Sequence, residues 1–135
     1  MENAENFMQI RKQRWLFDAQ FPGKQLLFVC RYPQENLENL RSWLLRIPNR
    51  YVHFGDFDLA GVHIYLSEFY AHLGNRSSVL VPSDIEERLA EGNAALYNQQ
   101  YDRFRNMAIT DVRLHPLVNM IHHYRRGYEQ EGYIR

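Results

Sequence analysis

The chain predicts a layered α/β fold, a small and mainly parallel sheet flanked by helices. Three observations carry that expectation. Short apolar runs at 25–30, 51–54 and 78–81 alternate with longer amphipathic stretches, the order that gives parallel pairing through helical crossovers. The length, 135 residues, is about that of one domain. Hydrophobic residues make up 45 % and aromatic residues 14 %, enough for a packed core and too many rings for a disordered chain.

Taken in order, residues 4–19 place Phe7, Ile10 and Phe17 at helical spacing, and Phe21-Pro22-Gly23 closes the helix. Residues 1–23 therefore read as an N-terminal helix and lead-in to a domain over 24–135. Gln25-Leu26-Leu27-Phe28-Val29-Cys30 has almost no polar group, which predicts a strand covered on both faces, broken by Tyr32-Pro33. Leu37, Leu40, Leu44 and Ile47 give an amphipathic helix that stops before Pro48. Tyr51-Val52-His53-Phe54 is a second strand. Val62, Tyr65, Leu66, Phe69 and Leu73 mark a long helix ended by Gly74. Ser78-Val79-Leu80-Val81 is a third strand. Ser83 and Glu86 have capping-box spacing for the next helix, which Gly92 ends. Residues 94–107 and 114–126 read as helices, the second with the stripe Leu114, Leu117, Val118 and Ile121.

Composition narrows the function classes. Sixteen basic and sixteen acidic side chains cancel, so no global field draws nucleic acid or membrane. Contact with phosphate falls to local patches: Arg11-Lys12-Gln13-Arg14, Arg103-Phe104-Arg105 or Arg125-Arg126. Each is either such a contact or a solvated helix face. The single cysteine, Cys30, reads as a small apolar group, allows no intrachain disulfide and fits a reducing cytoplasm. No apolar stretch reaches the ~20 residues of a membrane span, and the polar, acidic start is no signal peptide. A cytoplasmic location without a membrane partner is expected. Among the six histidines, His122 and His123 diverge on a helix, and His115 with His122 lacks the Cys or carboxylate that would complete a zinc set. Neither a P-loop nor a Gly-x-Ser-x-Gly is present.

The chemistry concentrates in Gly55-Asp56-Phe57-Asp58, delivered by the second strand to the carboxyl edge of the sheet, where α/β folds gather ligands. Two carboxylates one residue apart suit a hard cation such as Mg²⁺ or Mn²⁺, with water and phosphate oxygens completing its shell. Gly55 permits close approach of a ligand, and Gly61 permits tight packing of the following helix. The plainer alternative is that Asp58 caps that helix and Asp56 solvates a turn. His63 is placed to face a phosphate, and His53 reads as a core residue.

The string Tyr51-Val52-His53-Phe54-Gly55-Asp56-Phe57-Asp58-Leu59-Ala60-Gly61-Val62-His63-Ile64-Tyr65 resembles the second signature of Toprim domains. More narrowly it is similar to that of the topoisomerase VI family (its Toprim-bearing member), the meiotic recombination relatives of that family and the Toprim nuclease of the Wadjet anti-plasmid system. Arg126-Gly127-Tyr128-Glu129-Gln130-Glu131 is similar to a Glu-Gln-Glu ending of the Wadjet-type nucleases. The resemblance covers about residues 25–135. It implies a Toprim, Rossmann-like fold, a Mg²⁺-dependent nuclease or topoisomerase-like activity on DNA phosphodiesters, and partners in the form of other protein subunits or a separate DNA-binding domain. By the same resemblance Asp56 and Asp58 hold the metal, and a Glu after the first strand acts as general acid/base or as a further ligand. That strand ends Val29-Cys30-Arg31, and the nearest acid is Glu35, in Glu35-Asn36. Either a short insertion precedes Glu35 or the site is degenerate, leaving a module for assembly or for binding nucleic acid or phosphate. Glu129 and Glu131 are expected either to form a solvated tail or to fold back and lend a carboxylate to the Asp56 loop.

Overall fold

The computed structural model describes residues 1–31 and 37–134. Helices α1 (Ala4–Met8) and α2 (Ile10–Gln20) come first, then α3 (Leu37–Arg46) and strand β1 (Tyr51–His53). Helix α4 (Leu59–Ile64) runs through a π-helical stretch, Tyr65–Tyr70, into α5 (Ala71–Leu73). Strand β2 (Ser77–Val79), α6 (Ile85–Ala90), α7 (Ala94–Phe104) and α8 (His115–Tyr124) complete the regular elements. Strands β1 and β2 pair in parallel, with Tyr51 opposite Ser77 and His53 opposite Val79. The α4–α5 helix is the crossover between them, so the predicted α/β architecture with a small parallel sheet forms. Among the described residues no helix is long and apolar enough to cross a membrane.

Two expectations are corrected. Residues 25–30 do not form a strand. The chain start lies between them and β1: the Met1 amine donates to Val29 O at 2.8 Å, Arg31 N donates to Met1 O at 2.8 Å, and Glu2 N donates to Phe54 O at 3.0 Å. Only one face of the segment meets the core, so Phe28 packs against Phe17 while Leu27 stays 77 % exposed. The capping box does not form either. Helix α6 starts at Ile85, after Asp84. The Asp84 carboxylate accepts from Arg88 Nε at 2.8 Å and from the Tyr133 hydroxyl at 3.1 Å instead of capping the helix.

The core runs along the α4–α5 helix and reaches the chain's last turn. Phe54, Phe57, Tyr65, Phe69 and Tyr133 are almost fully buried. Tyr133, in a 3₁₀ turn over Gln130–Tyr133, meets Phe57 and Phe54 edge-on at 6.0 and 6.2 Å between ring centres. Arg88 lies over its ring at 4.6 Å. The tail is thus a core element, held by rings whose edge-to-face contacts add to area burial. Tyr133→Ala is predicted to cost about 3–5 kcal/mol, as buried aromatic truncations do, whereas Tyr133→Phe loses only the Asp84 bond, about 1 kcal/mol. Thermal or urea unfolding of the two variants checks this; equal, small losses would place the tail outside the core.

Candidate functional site: the acidic loop and the returning tail

Strand β1 delivers the loop as the sequence predicts, and two glycines let it close. A Cβ at Gly61 would lie 2.1 Å from Asp56 O, and one at Gly55 would lie 2.3 Å from a Glu2 carboxylate oxygen. The start of α4 therefore packs directly on the Asp56 peptide. Asp58, 4 % exposed, is the helix N-cap: its Oδ1 accepts from Gly61 N at 2.6 Å and its Oδ2 from Gln100 Nε2 at 2.9 Å. Gln100 in turn accepts from Ala60 N at 3.1 Å. The capping role weighed for Asp58 is real, and it leaves Asp56 as the less committed of the pair.

The tail returns to this loop. Phe57 N donates to Tyr128 O at 2.8 Å and Tyr128 N donates to Phe57 O at 3.0 Å. Gln130 N donates to Asp56 Oδ1 at 2.9 Å. Asn6 Nδ2 donates to Gln130 O at 3.0 Å and to Gln13 Oε1 at 2.7 Å, a buried amide link from tail to N-terminal helices. Glu131 accepts from the Asn3 side chain. The tail folds back, one of the two alternatives weighed for it, with Glu131 near the loop and Glu129 exposed.

Charge is concentrated as a result. The Asp56 carboxyl is pushed up to about 7, first by burial and further by the Asp58, Glu2 and Glu131 carboxylates, against the opposing bond from Gln130 N. Burial raises Asp58 as well, against its bonds from Gln100 and Gly61. His53, 2 % exposed, accepts or donates at Nδ1 with the Tyr51 hydroxyl at 3.1 Å, and its Nε2 faces Glu2 Oε2 at 3.4 Å. Among the described residues neither that nitrogen nor that oxygen has a hydrogen-bond partner. Burial lowers the His53 pKa, which favours the neutral ring beside Glu2.

Glu2, Gln100 and Gln130 belong to the site without any mark in the sequence. No spacing rule singles out Glu2, which reaches the loop through backbone pairing to Phe54; Gln100 stands in the α7 surface pattern, and Gln130 sits between two acids of more obvious chemistry. Glu35 lies outside the described residues. His63 is exposed and packs on Phe104 of α7 at 5.1 Å between ring centres. Among the described residues no group of three or more His, Cys, Asp or Glu side chains is spaced to hold a metal ion. A cation here would rest on one or two carboxylates, as Mg²⁺ commonly does, with water and phosphate supplying the rest.

The geometry sets the sign of two measurements. Gly61→Ala, favourable by helix propensity at ~1 kcal/mol, should instead destabilise by about 2 kcal/mol or more through the clash with Asp56 O; chemical denaturation reads the sign. Between about pH 4 and about 7 folded Asp56 keeps a proton that the unfolded chain loses, so its contribution to stability falls as pH rises through that window. Asp56→Asn should match the native chain near pH 4 and melt about 5 °C or more above it at pH 8. Parallel melting curves would contradict the raised carboxyl.

No curated protein and no solved structure matches the chain. One family model matches all of residues 1–135, and the chain belongs to that family, described as Domain of unknown function (DUF7281).

Proposed function

We propose that the chain is a Toprim-like, Mg²⁺-dependent domain acting on DNA phosphodiester bonds within a larger DNA-processing or anti-plasmid defence system. The observation that supports this most is the Asp56 carboxyl at the end of β1, raised to about 7 first by burial and further by the fields of Asp58, Glu2 and Glu131. An all-oxygen, over-charged, half-buried site of this kind fits a hard cation. Asp56 would hold it, assisted by Glu131 or Glu2, and Asp58 would fix the loop through Gly61 and Gln100. The cation would supply charge neutralisation at the scissile phosphate. Asp56 must give up its proton to bind it, so affinity rises with pH through about 7.

A second reading, a catalytically silent module for assembly or for binding nucleic acid or phosphate, draws on Asp58. Both of its oxygens are already bonded within the protein. Calorimetry and a plasmid-nicking assay separate the readings. The native chain should bind Mg²⁺ or Mn²⁺ and nick plasmid DNA, and Asp56→Asn should bind the ion at least tenfold more weakly and nick nothing. Metal binding without nicking selects the silent module; equal metal affinity in Asp56→Asn removes the site.

A further inference from the structure

A second site stands beyond the acidic loop, where α7 and α8 end. An open pocket of about 660 Å³ is lined by Tyr97, Tyr101, Arg105, Asn106, His122 and Arg125, with no acidic side chain among them. That volume is within the range of small-molecule sites, about 300–1,000 Å³. Arg105 and Arg125 come from two of the basic patches singled out in the sequence, and the fold brings them to one cavity. The Arg125 guanidinium lies 5.5 Å from the Tyr97 ring centre and 5.8 Å from that of Tyr101, and Arg105 lies 5.9 Å from Tyr101. Tyr97 is buried, and its hydroxyl is fixed by His122 Nδ1 at 2.8 Å. Tyr101 is half-exposed and both arginines are exposed, open to a ligand.

The backbone points the same way. Arg125 caps α8 with φ of 53°, the left-handed conformation that glycine ordinarily supplies at this position. It is the only non-glycine residue with positive φ among the described residues. Such outliers concentrate at ligand-binding sites.

We propose that this pocket binds a nucleoside phosphate, the base stacked on Tyr101 and the phosphate held between Arg105 and Arg125. Guanidinium groups match phosphate geometry, and tyrosine rings stack on any base. Two short stretches of chain that lead from the pocket are hydrogen-bonded to the acidic loop. Gln100, next to Tyr101, donates to Asp58, and Tyr128, three residues after Arg125, pairs with Phe57. The ligand is either a free nucleotide or the end of a single strand led toward the loop.

The full chain, in EDTA, is titrated by NMR with deoxyadenosine 5′-monophosphate, deoxyadenosine, inorganic phosphate and a 5′-phosphorylated oligodeoxyadenylate. Working without divalent metal keeps the outcome independent of the acidic loop. The mononucleotide should shift the Tyr101, Arg105 and Arg125 signals and bind at least tenfold tighter than deoxyadenosine or phosphate alone. Tighter binding of the oligonucleotide identifies a strand end, and equal binding identifies a free nucleotide. Arg125→Gly suits the backbone, so it should keep or raise the melting temperature while weakening binding at least tenfold; Arg105→Gln should weaken it likewise. No shift at millimolar nucleotide, phosphate binding as tightly as nucleotide, or native affinity in both arginine variants would overturn the proposal.

Discussion

The architecture around Asp56 depends on the tail closing onto the middle of the chain. Phe57 and Tyr128 exchange backbone hydrogen bonds, and Gln130 N donates to the Asp56 carboxylate. Each bond contributes modestly, about 1 kcal/mol net and somewhat more where a charge takes part. Their anchor is Tyr133, buried among Phe54, Phe57 and Tyr128. The same rings that seal the core thus carry Gln130 to Asp56 and bring Glu131 into its field. Removing the anchor would release the tail and re-solvate the loop together.

Closure divides the labour of two carboxylates that look equivalent in sequence. Asp58 meets two donors, the start of α4 and Gln100, and is held as a structural cap. Among the described residues Asp56 meets one donor and three acidic neighbours, and burial there leaves it holding a proton to about pH 7. Keeping a desolvated, proton-hungry carboxyl at a strand end destabilises the fold. A fold that retains such a group retains a place for positive charge, which a cation or a proton can occupy.

Local periodicity made the helices and the β1 loop legible, because 3.6-residue spacing and flanking Gly and Pro are written in adjacent residues. Helix 4–19 divides at Gln9, yet both halves lie where Phe7, Ile10 and Phe17 predict. Residues 25–30 misled because an apolar run records burial and not the partner that covers it; Met1 and Glu2 take the place that a neighbouring strand would fill. The Ser83–Glu86 spacing failed because Asp84 is drawn to Arg88 and Tyr133, distant in sequence from any capping pattern. Glu2 at Gly55, and Arg105 beside Arg125, are likewise products of long-range closure that spacing rules do not encode.

Native-state hydrogen exchange at the Phe57, Tyr128 and Gln130 amides tests the closure most directly. Amides in a core element open only with the global unfolding free energy, and these three should exchange at that limit, together with the α4 amides. Exchange of the Gln130 and Tyr128 amides within minutes, while α4 stays protected, would show a frayed tail and would contradict the closed acidic site.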